Sequence, residues 1–235
     1  MNNISGLGAI FIGNGCLVWL VKILYRISLT QSEKVFFQNR DDNRLFIDEG
    51  LVDSKITSIL PGSGVDLQRF YFTPLRVAKE NFRFLLVARM LWDKGVGEFI
   101  EAARVLRQRY KVEFFLLGSS DALNPAAISH VKIEQWVEEG VIQYIAQVED
   151  VRPHLIRADC VVLPSYREGA PRSLLEAAAM GRPIITTDAV GCRDVVVDHE
   201  TGLLCKVKDS VDLSKKLETM LLLPEDQRAE MGRKG

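Results

Sequence analysis

The stretch Pro164-Ser-Tyr-Arg-Glu168-Gly-Ala-Pro171-Arg-Ser-Leu-Leu-Glu176-Ala-Ala-Ala-Met-Gly181 decides the reading of this chain. The apolar run Cys160 to Leu163 leads into it and reads as a short strand. Pro171 suits a first helical position, where its missing N–H is no loss, and Leu174, Leu175 and the alanines favour helix. Gly181 stops that helix ahead of Pro183. Glu168 therefore belongs to the loop before the helix, and Glu176 lies a turn or so inside it. The helix start between the two acids offers unpaired N–H groups and a positive dipole end, which suit a phosphate. One carboxylate is then placed to hold sugar hydroxyls and the other a ribose, with a diphosphate between. Taken alone, the pair also fits a surface acid and a helix acid in an ordinary α/β protein, so the surrounding blocks carry the weight.

With 30 basic and 31 acidic residues the net charge is −1, and nothing in it favours a nucleic-acid surface. An apolar fraction of 47% against 26% charged residues describes a well-cored soluble chain. Cys16, Cys160, Cys192 and Cys205 lack the close spacing of a metal site or a disulfide framework, and read as reduced thiols of a cytosolic protein. His130, His154 and His199 are scattered, and His154 reads as structural. No Asp-x-Asp metal motif occurs. Leu7 to Leu24 is long enough for a membrane span, but Gly13, Asn14 and Gly15 interrupt it and Lys22 lies near its end. No positive region precedes it and no small-residue cleavage site follows, so a signal peptide is disfavoured. Its second part, Leu17 to Arg26, reads as a buried or membrane-facing helix. Gly6-Leu-Gly8 lacks the third glycine and the preceding strand of a dinucleotide fingerprint.

From Asn81 onward strands and helices alternate. Strands are expected over Phe82–Ala88, Val112–Leu117, Val141–Ala146, Cys160–Leu163, Ile184–Thr187 and Leu203–Val207. Helices are expected over Val96–Gln108, Ile128–Glu139, Val151–Arg157, from Pro171, and over Val211–Leu223. Continuous apolar strands separated by helices argue for a parallel sheet covered on both faces, with ligands at the carboxyl ends of its strands. Upstream, Val35–Asn39 and Lys55–Leu60 read as strands and Asp41–Glu49 as a helix, followed by the turn Pro61-Gly-Ser-Gly-Val-Asp66.

Leu163-Pro164-Ser165, the acid pair, Ala177-Ala-Ala-Met-Gly-Arg-Pro-Ile-Ile-Thr-Thr-Asp188 and Gly191-Cys-Arg193 together resemble retaining GT-B glycosyltransferases of the family 4, glycosyl transferases group 1, type. The likeness runs from about Val35 to the C-terminus and leans toward bacterial enzymes that build lipid-linked oligosaccharides or capsule. It implies an α/β fold of GT-B type, with the tail of an N-terminal Rossmann-like half over 1–65 and a C-terminal nucleotide-sugar donor domain over 66–235. It implies transfer from a nucleotide-sugar, UDP-linked by expectation, to a glycan or lipid-linked acceptor, without cofactor or metal. The acceptor-side strands and a closing C-terminal helix expected of the family are not found, so the chain looks shortened at both ends. An inactive donor-binding fragment of a split gene is the alternative; a phosphorylase or epimerase on the same fold ranks lower.

The resemblance also assigns residues. Glu168 is the expected catalytic acid, orienting the donor sugar and stabilising charge at its anomeric carbon. Arg89 and Lys94, in Val87-Ala-Arg89-Met-Leu-Trp-Asp-Lys94-Gly95, are expected on the diphosphate. Val148, in Tyr144-Ile-Ala-Gln147-Val148, is expected near the base, although Ala146 replaces the commoner glycine. Gly118 either admits the ligand or serves a turn. Gly169, Ala170, Pro171, Leu174 and Glu176 complete the donor set, with Glu176 on the ribose, while Arg172 and Arg193 remain unassigned. The location implied is cytoplasmic, with peripheral membrane contact through residues 7–26.

Overall fold

The computed structural model describes residues 1–7, 11, 15–60, 62–75, 81–120 and 124–235. Gly8, Gly13, Asn14 and Pro61, on which parts of the sequence reading fall, lie outside the described residues. The N-terminal elements are β1 (Asn2–Ile4), α1 (Cys16–Leu29), β2 (Val35–Phe37), α2 (Arg40–Asp48) and β3 (Thr57–Ile59). Their strands form a parallel sheet in the order β1-β2-β3, with Asn2 opposite Val35 and Val35 opposite Thr57. Ile4, Val35, Phe37 and Phe46 form its core, with Phe46 of α2 edge-on to Phe37.

The larger unit runs β4 (Phe82–Val87), α3 (Val96–Arg107), β5 (Val112–Leu117), α4 (His130–Glu138), β6 (Gln143–Ile145), α5 (Arg152–Arg157), β7 (Cys160–Leu163), α6 (Arg172–Ala179), β8 (Ile184–Thr187), β9 (Gly202–Cys205), α7 (Ser210–Leu222) and α8 (Glu225–Lys234). Its six strands are all parallel, in the order β6-β5-β4-β7-β8-β9. The two-residue period of a strand sends Phe84 and Leu86 of β4 to one face and Leu85 to the other. Phe84 and Leu86 pack with Phe99, Ile100, Phe114 and Leu213, whereas Leu85 packs with Val161, Leu174 and Ala177. Burial on both faces explains the unbroken apolar run of β7, and each such Val or Leu contributes roughly 1.5–3 kcal/mol.

Strand order reverses at β4, which has β5 on one side and β7 on the other. A crevice opens at the carboxyl ends of strands where such a reversal occurs. The loops leaving β4 and β7 flank it, and these carry Arg89, Lys94 and Glu168.

Several expectations need adjustment. Neither β1 nor α8 was expected; three residues are too few to show a period, and α8 is polar on most of its surface. Lys55 lies in a 3-10 turn, Ser54–Ile56, because the Asp53 carboxylate caps the Lys55 N–H at 2.9 Å; β3 starts only afterwards. Gln143–Ile145 is the whole of β6, shorter than its apolar run suggested. Within α1 only Leu29 is buried, while Leu17, Trp19, Leu20, Leu24 and Ile27 are exposed, so α1 is not a core helix. No helix among the described residues is long and apolar enough to cross a membrane. Cys160, Cys192 and Cys205 are buried thiols and Cys16 is exposed; none is bonded to another.

The segment Phe70–Thr73 is fastened to the larger unit by Arg182, which is fully buried. Its guanidinium donates to the carbonyls of Met180 at 3.2 Å, Ala158 at 3.3 Å, Ile156 at 3.4 Å, and Thr73. Burial lowers its pKa to about 10, against the pull of Asp159, and it stays charged at neutral pH. Removing the side chain strands buried carbonyls. Arg182→Ala should therefore cost about 3 kcal/mol. In a thermal melt that is a fall in Tm of roughly 6–12 °C for a chain of this size.

Candidate active site

The site begins where the exits of β4 and β7 are tied together. The Asp93 carbonyl accepts the Tyr166 N–H at 2.9 Å and the Ser165 hydroxyl at 3.1 Å. Gly95 is left-handed, with φ +72°, and a Cβ there would stand 2.0 Å from the Pro164 carbonyl oxygen. Only glycine permits that approach. The consequence is that Lys94 is held over the loop of Glu168, and its Nζ meets the Glu168 Oε1 at 2.6 Å. Both side chains are mostly covered, at 13% and 16% exposure, so the pair is screened less than a surface ion pair.

The far side of the Glu168 loop is equally confined. The Glu168 N–H donates to the Val190 carbonyl at 3.0 Å. Gly191 has φ +77°, and a Cβ on it would stand 2.2 Å from the Glu168 carbonyl oxygen. Below, the threonines of β8 brace the exit of β7, with the Thr186 hydroxyl donating to the Leu163 carbonyl at 2.7 Å and that of Thr187 to Ser165.

Pro171 proves to be the N-cap of α6 rather than its first helical residue, with φ −72° and ψ 101°. The difference is one position, within the ordinary uncertainty of a helix boundary. No side chain caps α6. The N–H groups of Leu174 and Leu175 both return to the Pro171 carbonyl, while those of Arg172 and Ser173 have no acceptor within the helix. Glu176 projects from the next turn and is nearly buried, at 12% side-chain exposure. Its Oε1 accepts from the Arg172 Nε at 2.9 Å, but Arg172 is 66% exposed, so its pull is weak and burial raises the Glu176 pKa.

Among the other expected residues, Arg89 is exposed just beyond the carboxyl end of β4. Gly118, with φ +149°, has its Cβ direction filled by the Ala88 carbonyl oxygen at 1.8 Å, so the meeting of two strand ends alone demands glycine there. Its own carbonyl accepts the Tyr144 hydroxyl at 2.7 Å. Val148 is half-buried after β6, and packs on the same face as Leu174. Gly169 and Pro171 are buried and Ala170 half-buried, all beside Glu168. Arg193 is engaged by Asp188 at 3.0 Å. Among the described residues no group of His, Cys, Asp or Glu is arranged to hold a metal ion.

Two features went unnoticed in the sequence. Cys192 lies close enough for Glu168 to help burial push its thiol up to about 11. Asn39 and Asp42 reach the Glu168 loop from the smaller sheet. An Asn followed three residues later by Asp at a helix start is a capping signature, and its second use at a distance leaves no local trace.

Residues 81–222 match the glycosyl transferases group 1 family, and the chain belongs to that family. It is 31% identical, over 97% of its length, to an N,N'-diacetylbacillosaminyl-diphospho-undecaprenol alpha-1,3-N-acetylgalactosaminyltransferase of Campylobacter jejuni, and spans 62% of that relative. It is 27% identical over 78% of its length to the capsular polysaccharide biosynthesis glycosyltransferase CapM of Staphylococcus aureus, of which it covers 50%. Sucrose-phosphate synthase from Thermosynechococcus elongatus superimposes with a TM-score of 0.81 at 20% identity, over 98% of this chain and 60% of that one. The Anabaena protein HepE, solved with UDP, gives 0.76 at 18% identity, over 98% and 64%. These neighbours establish the GT-B glycosyltransferase fold.

The raised pKa of Glu176 has a measurable consequence. Below the ordinary value of 4.5 the acid is protonated whether or not the chain is folded, and the stability it confers is fully present. That stability is lost as pH rises through the higher folded value. Glu176→Gln should therefore raise Tm above that window and leave it unchanged near pH 4, as read from melts across pH 4–8.

Proposed function

We propose that this chain forms the donor side of a retaining glycosyltransferase. The enzyme would move a sugar from a nucleotide-sugar, UDP-linked, to a polysaccharide or lipid-linked oligosaccharide precursor. The observation that carries this reading is the Lys94–Glu168 pair where the loops leaving β4 and β7 meet, ahead of the uncapped start of α6. Family membership supports it, as do the names of the Campylobacter and Staphylococcus relatives and a fold neighbour solved with UDP.

In this reading the free N–H groups of Arg172 and Ser173 receive the diphosphate, with Lys94 and Arg89 as its counter-charges. Glu176, once ionised, accepts from the ribose hydroxyls. Lys94 then exchanges part of its contact with Glu168 for the phosphate, which frees the carboxylate to orient the sugar and face its anomeric carbon. The bond from that carbon to the diphosphate oxygen breaks, and the electron pair leaves with the diphosphate. The acceptor oxygen attacks from the same face, and its proton passes to the departing diphosphate, so configuration is retained. Charge accumulating on the leaving group is stabilised by preorganised donors, and the scheme calls on neither metal nor cofactor.

The setting we propose is cytoplasmic, for which four unpaired cysteines are suitable. Peripheral contact with a membrane is supported by the exposed Leu17, Trp19, Leu20, Leu24 and Ile27 of α1, a helix with Lys22 and Arg26 and no acid.

Saturating UDP, at about 100 times its Kd, should stabilise the chain by about 2.7 kcal/mol, or roughly 5–11 °C in Tm. Lys94→Ala and Glu176→Ala should abolish that shift, while Glu168→Ala keeps the shift and loses transfer. No shift at millimolar UDP or any other nucleoside diphosphate would overturn the reading. Binding without transfer to any lipid-linked acceptor would reduce the role to donor binding.

A further inference from the structure

Glu168 is gripped on both flanks by a helix of the other sheet. Asn39, the N-cap of α2, is buried, and its Oδ1 accepts the Asp42 N–H at 2.7 Å. That leaves its amide nitrogen free to donate elsewhere. It donates to the Gly169 carbonyl at 3.1 Å and to the Asp42 Oδ2 at 3.0 Å, with the Glu168 carbonyl at 3.5 Å. Asp42, fully buried, pairs through Oδ1 with the Nη2 of Arg167, whose side chain is 16% exposed. The residues immediately before and after Glu168 are thus each held by one side chain of α2.

Packing leaves the loop no slack at this point. A Cβ on Gly169 would stand 2.1 Å from the Ser5 carbonyl oxygen and 2.5 Å from the Gln38 Oε1. One on Gly62 would stand 2.8 Å from the Ala170 Cβ. Burying an aspartate is costly unless a cation answers it, so Asp42 holds Arg167 in place. Two buried polar groups, one on the Gly169 carbonyl and one on the Arg167 guanidinium, specify the direction of the acid between them in a way that apolar contact would not.

We propose that Asn39 and Asp42 are positioning residues for Glu168. By fixing Gly169 and Arg167 they aim its carboxylate at Lys94, and at the donor sugar when one is bound. This rests on the donor-binding reading above and extends it, because it makes the smaller sheet part of the donor site rather than a neighbour of it. Nucleotide affinity then depends on α6 and Lys94, whereas the extra affinity given by the sugar depends on α2.

The test uses the full chain and calorimetry with UDP against UDP-glucose, UDP-N-acetylglucosamine and UDP-N-acetylgalactosamine. Asn39→Ser keeps an N-cap acceptor but cannot reach Gly169. It should keep α2 capped and the chain folded, with a Tm lowered by the unpaired Gly169 carbonyl, and bind UDP within about twofold. With the preferred sugar nucleotide it should lose the gain over UDP to the same extent as Glu168→Ala. The double variant Asn39→Ser/Glu168→Ala should lose no more than Glu168→Ala alone, since residues acting as one unit are not additive. A full sugar-dependent gain in Asn39→Ser, or additive losses, would overturn the proposal. Hydrogen exchange without ligand keeps it separable from the functional reading. Asn39→Ser should speed exchange at Arg167–Ala170 while the strand amides of β4 and β7 stay protected; unchanged exchange there overturns the grip even if no nucleotide binds. A parent chain that binds no nucleotide, yet shows that local release, overturns only the donor-binding reading.

Discussion

The union of the loops that leave β4 and β7 is the constraint on which the rest of the site depends. One carbonyl, that of Asp93, receives both Tyr166 and Ser165, and Gly95 lies flat against Pro164. Hydrophobic burial fixes the two strands side by side, but it does not fix what emerges from them. The hydrogen bonds and the glycine do so, and they bring a lysine and a glutamate from distant parts of the chain within 2.6 Å. Had the strand order not reversed at β4, these loops would have been separated by a strand, and no crevice would lie between them.

Most of the larger unit was legible from the sequence because its strands are buried on both faces. Phe82–Val87 and Val112–Leu117 are apolar apart from Arg83 and Glu113, Cys160–Leu163 is apolar throughout, and all three are strands bounded by turns. Their helices carry apolar residues at helical spacing. What escaped was either too short or too polar for a pattern. Three-residue β1 has no period, α8 is mainly charged, and β6 loses half its apolar run because Val141 and Ile142 pack into the core ahead of the strand. Helix α1 differs in another way. Its apolar residues predict a buried or membrane-facing helix, and since all but Leu29 remain at least partly open, the buried alternative is the one that fails.

The candidate site divides along the same line. Glu168, Pro171 and Glu176 could be placed by local grammar, since a strand end, a proline and a helix stop fix their relative positions. The ion pair with Lys94 had no such signature, because it depends on which strands are neighbours. The contribution of α2 is further still from the local text, joining Asn39 to Gly169 across two sheets. Specification at long range by side chains that also serve a local cap is invisible to periodicity.

The thiols offer a practical consequence. Burial, helped by nearby acids, keeps Cys160, Cys192 and Cys205 from ionising, with Cys192 pushed up to about 11 and Cys205 to about 12. Since alkylating reagents and peroxide attack the thiolate, these three are chemically silent in the folded chain. Exposed Cys16 is left as a lone handle at the start of α1. A fluorophore coupled there would report on the surroundings of that helix with no cysteine engineered away.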